Sequence, residues 1–137
     1  MSGRPRMWVY SPYKEANAKL STYQKEEIEA KCKPVIGKFR KQYIKEKPDK
    51  RFNYTVDIFL KWRGSYLYFI QRMRSDQEGY PSQEFNVGFA RLGFIKNDWV
   101  NLSYFRHTNQ WFLIETGLSL EDGLEMIESI PAFHPVG

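Results

Sequence analysis

The stretch EFNVGFARLGFIKNDWVNLSYFRHTNQWFLIET, Glu84 to Thr116, decides the fold. Its apolar and aromatic residues recur at every second position, the period of a strand, and two polar breaks divide it. Lys96-Asn97-Asp98 form one turn, and Thr108-Asn109 form the centre of another, because Asn tolerates the left-handed backbone of tight hairpins. The stretch therefore reads as three antiparallel strands, Glu84 to Ile95, Trp99 to Arg106 and Trp111 to Thr116, with Gly117 breaking the last.

Pairing Ile95 with Trp99 sorts these strands into two faces. One carries Ala90, Leu92, Phe94, Val100, Leu102, Tyr104 and Leu113. The other carries Phe85, Val87, Phe89, Ile95, Trp99, Phe105, Phe112 and Ile114, interrupted by Arg91, Asn101 and Ser103. An antiparallel sheet covered on one side shows one polar face, and this pattern shows none. The second face needs cover from a helix, a second copy or another partner. In the last hairpin, a turn centred on Thr108-Asn109 sets Arg106 opposite Trp111, a cation–π geometry.

Working outward, Phe52 to Trp62 and Tyr66 to Met73 alternate in the same way around a tight turn at Arg63-Gly64-Ser65, and Arg74 to Ser82 is a polar loop. Upstream, the spacing changes to three and four. Ile28, Cys32, Val35, Ile36, Phe39 and Tyr43 make one apolar stripe, and Ser21 with Gln24 fits a capping box. Pro34 lies inside this helix and is expected to kink or split it. Pro48 and Asp49 make the turn that follows. After the strands, Ser119, with Asp122 three residues later, caps a second helix with Leu120, Leu124 and Ile127 on its apolar side, and Pro131 stops it. The fold class is α+β: an N-terminal helix, a five-stranded antiparallel meander and a C-terminal helix. Residues 1–20 read as an extended arm, with Trp8, Val9 and Tyr10 expected to pin it, and residues 21–137 as a single domain.

The 137 residues include 10 Phe, 9 Tyr and 4 Trp, ample for one packed core. Cys32 is the only cysteine, and His107 and His134 lie far apart, so no disulfide and no metal-ligand spacing is present. No cofactor motif appears. The chain has no apolar run of membrane-span length and no signal-peptide core, so a cytoplasmic location is expected. Charge is uneven: residues 1–51 carry fourteen Lys and Arg against six Asp and Glu, whereas residues 119–137 carry four acids and no base.

Three function classes follow. The first is a small interaction module, homodimeric through Phe85, Val87, Phe89, Trp99, Phe105, Phe112 and Ile114. The second is a nucleic-acid binder in which Arg4, Arg6, Lys38, Arg40, Lys41, Arg72, Arg74, Arg91 and Arg106 contact phosphates beside sheet aromatics. GRPR, Gly3 to Arg6, is half of a minor-groove motif that needs a further arginine. The third is an enzyme centred on His107. Ser103 lies four residues away, about 13 Å along a strand. Glu115 sits across from Leu102, far from the turn. No nucleophile, paired-carboxylate or phosphate-loop motif accompanies the histidine, so the sequence weighs against catalysis.

Ala90-Arg91-Leu92, Tyr104, Arg106 and Trp111, with the closing helix ending at Pro131, Phe133 and Pro135, resemble a family of short bacterial proteins classed as a domain of unknown function. The resemblance spans about residues 21 to 135. It implies a compact α+β domain without an assigned activity, cofactor or substrate, and transfers no catalytic residue.

Overall fold

The computed structural model describes residues 14–106 and 109–136, without the side chain of Arg106. The order is α1 (Thr22–Tyr43), β1 (Tyr54–Arg63), β2 (Tyr66–Ser75), β3 (Gln83–Lys96), β4 (Trp99–Arg106), β5 (Gln110–Ser119) and α2 (Leu120–Ser129), then a short 3-10 turn at Pro131–Phe133. The strands form one antiparallel sheet in the order β1-β2-β3-β4-β5, the expected meander. Residues 1–13, which include Arg4, Arg6, Trp8, Val9 and Tyr10, lie outside the described residues, as does His107.

The start of α1 is closed by its capping box. Ser21 Oγ accepts from the Gln24 amide at 3.1 Å, and Gln24 Oε1 accepts from the Ser21 amide at 2.9 Å. Contrary to the expected split, α1 runs through Pro34 as one helix of 22 residues. Pro34 and Ala30 both face solvent. The carbonyl that a proline leaves unpaired one turn back is therefore open to water, and the apolar stripe on either side packs on a single sheet. Ile28, Cys32, Val35, Ile36 and Phe39 are its buried residues.

Both helices cover the same face of the sheet. Phe39 of α1 meets Phe89 edge-on at 5.5 Å between ring centroids, and Trp62 Nε1 donates to Glu29 at 2.8 Å. Gly123 of α2 lies so close to Val100 and Leu92 that an added Cβ would stand 3.2 and 3.3 Å from their methyl groups. Lys38 and Glu128 form an ion pair between the helices. Beneath them Ile58, Leu67, Phe69, Leu92, Phe94, Val100, Leu102, Ile127 and Phe133 join one core.

Bulges revise the simple alternation. Phe69 pairs with Ala90 and Ile70 with Gly88, which leaves Phe89 as an extra residue in β3. One extra residue moves every side chain beyond it to the other face. Phe85 and Val87, opposite the buried Met73 and Gln71, therefore belong to the helix-covered side. In the last hairpin Phe105, not Arg106, stands opposite Trp111, and Arg106 pairs with Gln110. Asn109 takes the left-handed conformation, with φ 62°, as the last of three residues that connect the paired Arg106 and Gln110. Gly117 does not break β5. It sits in a further bulge at φ 67°, its amide donates to Asn101 Oδ1 at 3.2 Å, and the strand continues to Ser119.

Candidate functional site: an arginine held among aromatic rings

The side of the sheet away from the helices is crossed at one end by residues 14–18. Asn101 Nδ2 donates to the Lys14 carbonyl at 2.7 Å, the Ala18 amide donates to the Phe94 carbonyl at 3.0 Å, and Ser65 Oγ donates to the Ala18 carbonyl at 2.7 Å. Between these anchors Ala16 lies over Gly93, where an added Cβ would meet its methyl at 2.7 Å. The strap then rounds the sheet end, and Ala18 and Leu20 pack against the core on the far side.

Beyond the strap, the open face carries an arginine in a cage. The Arg91 guanidinium carbon is 4.5 Å from the Tyr66 ring centroid, 5.0 Å from Trp111 and 5.9 Å from Tyr68. Two-residue spacing puts Tyr66 and Tyr68 on this face, opposite to Leu67 and Phe69. Trp111 reaches from β5 across to β3, because Gly88 leaves room: a Cβ there would lie 2.9 Å from Trp111 Cζ2. Phe105 buttresses the Trp111 ring at 5.2 Å. Arg91 Nε is buried and has no hydrogen-bond partner among the described residues.

Besides Arg74, which is paired with Glu84, three more cations on this face, Lys61, Arg63 and Arg72, have no ion pair among the described residues. Lys61 is paired with Tyr68 and Arg63 with Tyr66 across β1 and β2. Arg72 lies 5.0 Å from the Phe59 ring centroid and donates to Asn86 at 3.3 Å. Two strand carboxylates on this side are engaged elsewhere: Glu84 with Arg74, and Asp57 with Arg40 and the Ile58 amide. Ringed, positively charged and open, the surface matches what an anion with planar groups requires.

The chain belongs to the DUF3024 family. The family model, described as a domain of unknown function, matches residues 20–135. No curated protein and no solved structure matches the chain.

Within this DUF3024 domain the residues singled out by sequence are dispersed. Phe89 is core, Phe85 and Val87 lie on the helix side, and Phe112 pairs there with Tyr104, whose ring meets Phe133. Trp99 and Phe105 occupy the open face, Trp99 over Gly117 and Phe105 against Trp111. Ile114 is the extra residue of a bulge and is 45% exposed. These seven do not form one surface. The cations also divide: Lys38 and Lys41 are on α1, across the sheet from Arg72 and Arg91, Arg40 reaches from α1 to Asp57 on the edge strand β1, and Arg74 is paired. His134 has a structural contact, since its Nε2 donates to the Glu128 carbonyl at 2.8 Å while its ring meets Phe39. No described helix is long and apolar enough to cross a membrane.

Sequence reasoning missed Tyr66, Tyr68, Lys61 and Arg63. A turn at Arg63-Gly64-Ser65 pairs Trp62 with Tyr66 and sends Lys61 to the other face, whereas the turn is Gly64-Ser65 alone, which pairs Arg63 with Tyr66 and Lys61 with Tyr68.

Proposed function

We propose that this domain binds single-stranded nucleic acid on the open sheet face. In this reading, bases stack among Tyr66, Tyr68 and Trp111 while phosphates meet Arg91, Arg72, Lys61 and Arg63. The observation that carries the reading is the state of Arg91. Three rings hold its guanidinium in place, and no carboxylate among the described residues neutralises it. Its Nη groups, unlike the buried Nε, remain for an incoming anion, with little side-chain entropy left to lose.

A flat face of rings suits unstacked bases, since bases inside a duplex present only their edges. Charge separates this reading from the homodimer expected through the same side. A two-fold contact there would set Arg91, Arg72, Lys61 and Arg63 near their own copies, and like charges brought together cost several kcal/mol. A polyanion turns the same four charges into attraction.

The test is fluorescence anisotropy with labelled single-stranded DNA and RNA of mixed sequence, at several salt concentrations, beside a duplex of the same length. Binding should favour the single strand and weaken steeply with salt. Arg91→Ala should lower affinity about tenfold, on the scale of one lost stacking and charge contact. Absence of binding to either single strand at low salt overturns the reading.

A further inference from the structure

α1 ends at Tyr43, and the chain returns to the sheet at Tyr54 through residues 44–53. Between that connection and the first strand pair lies a cleft of about 360 Å³. Small-molecule sites run from roughly 300 to 1,000 Å³, apolar for the most part with a few convergent polar groups. Thr55 and Met73 pair across β1 and β2, line the cleft, and are each 6% exposed. Tyr43, which meets Phe39 of the core at 6.2 Å between ring centroids, adds a ring beside those of Phe52 and Tyr54. Lys45 and Lys47 complete the lining as exposed cations.

Several of these groups have capacity left over. Thr55 Oγ1 accepts from Gln71 Nε2 at 2.7 Å, and its own hydrogen has no acceptor among the described residues. Lys47 makes no hydrogen bond or ion pair among them. Lys45 uses one of its three donors, on the Gln42 carbonyl at 3.3 Å. Phe52 is 67% exposed beside a cleft lined by other rings, so its apolar surface stays in water until something covers it.

The one acid of the lining, Asp49, is already neutralised. Its carboxylate accepts from Arg51 Nε at 3.0 Å and from Arg51 Nη2 at 2.7 Å. The same turn fixes the Phe52 backbone, whose amide donates to the Asp49 carbonyl at 3.2 Å. The cleft is therefore preformed and carries net positive charge.

We infer that this cleft binds a small aromatic acid. The flat part of the ligand lies against Tyr43, Phe52 and the Met73 thioether, its anionic group meets Lys45 and Lys47, and the Thr55 hydroxyl donates to one of its acceptors. Two unneutralised lysines disfavour a cation, the volume is too small for a protein segment with structure of its own, and the rings favour a flat ligand over an aliphatic chain. The last carbonyls of α1 oppose an anion, but Arg40 and Lys41 in that turn and the Lys45 contact to Gln42 offset them. The cleft lies on the helix-covered side, away from the Arg91 cage, and does not rest on the nucleic-acid reading.

The experiment is NMR of protein carrying isotope-labelled methionine methyl groups, titrated with cinnamate. The Met73 methyl resonance, identified by its loss in Met73→Leu, should move and saturate under the ring current of the bound acid, while that of Met126 on α2 stays in place. Cinnamyl alcohol, flat but neutral, and octanoate, anionic but not flat, should each bind about tenfold more weakly. Phe52→Ala and Lys47→Gln, both at exposed positions, should each weaken cinnamate about fivefold, and Arg91→Ala should bind it as wild type does. No saturable shift at Met73, an equal response to all three compounds, or a shift lost in Arg91→Ala would overturn the inference. Cinnamate binding without single-strand binding removes the proposed function alone, and the converse removes the cleft alone.

Discussion

Gln71 and Val136, 65 residues apart, hold each other at two points. Gln71 Nε2 donates to the Val136 carbonyl at 2.6 Å, and the Val136 amide donates to Gln71 Oε1 at 3.0 Å. The second Nε2 hydrogen goes to Thr55 Oγ1 at 2.7 Å. A fully buried amide in the middle of β2 is thus satisfied by the tail that follows α2, and the tail is fixed against the helix-covered face.

Replacing Gln71 by Ala leaves the Val136 backbone and the Thr55 hydroxyl without their partner. Urea unfolding should show a loss of about 2–4 kcal/mol, on the scale of unsatisfied buried groups plus a small cavity. Combined with removal of residues 134–137, the two losses should fall well short of additive, because each change already breaks the same contacts.

Gly88→Ala tests the Arg91 cage without touching a charged group. The added methyl would meet Trp111 Cζ2 at 2.9 Å, so the ring must swing away from Arg91. The expected outcome is a shifted tryptophan emission maximum and weaker single-strand binding, with thermal stability changed much less than by a core truncation. An unchanged spectrum would place Trp111 elsewhere.

Salt dependence separates the cations. Arg72→Gln and Arg91→Gln should each reduce the slope of log affinity against log salt by about 1. Lys38→Gln, on the helix side and paired with Glu128, should leave that slope unchanged.

Cys32 provides a probe of unfolding. Burial, and secondarily the neighbouring Glu29 carboxylate, push its thiol up to about 12 from 9.0. A thiol reagent should therefore fail to label the native protein at pH 8 and react quickly in urea. The sign for stability follows from the raised value. Below pH 9 both states keep the proton and the contribution is intact. As pH rises from 9 towards 12 the unfolded chain loses its proton first, so stability falls. The stability gap between wild type and Cys32→Ala should narrow over that range.

Helix starts were legible because their signals are local. Ser21 with Gln24 and Ser119 with Asp122 announce their caps within four residues, and both caps form as read. Ser21→Ala should accordingly cost about 1 kcal/mol. The strand count and order were legible from alternation. The faces were not, because FNVGFAR alternates smoothly and nothing in it marks Phe89 as the extra residue. A bulge is decided by the neighbouring strand, here by what Phe69 and Ile70 accept across the pair. Charge counts failed for a related reason. Fourteen basic residues in the first 51 look like one patch, yet those on α1 are separated from Arg91 by the thickness of the sheet. The open-face cluster gathers residues from β1, β2, β3 and β5, and of these only Arg72, Arg91 and Trp111 stand out in the linear reading.

The strap at Lys14 and the tail at Val136 attach to opposite sides of one layer. Immobilised by way of the tail, the domain would display its caged arginine to the bulk. Immobilised by way of the strap, it would turn that arginine towards the support. A capture assay run in both orientations should therefore disagree with itself, and the size of the disagreement would measure how far this protein works from a single side.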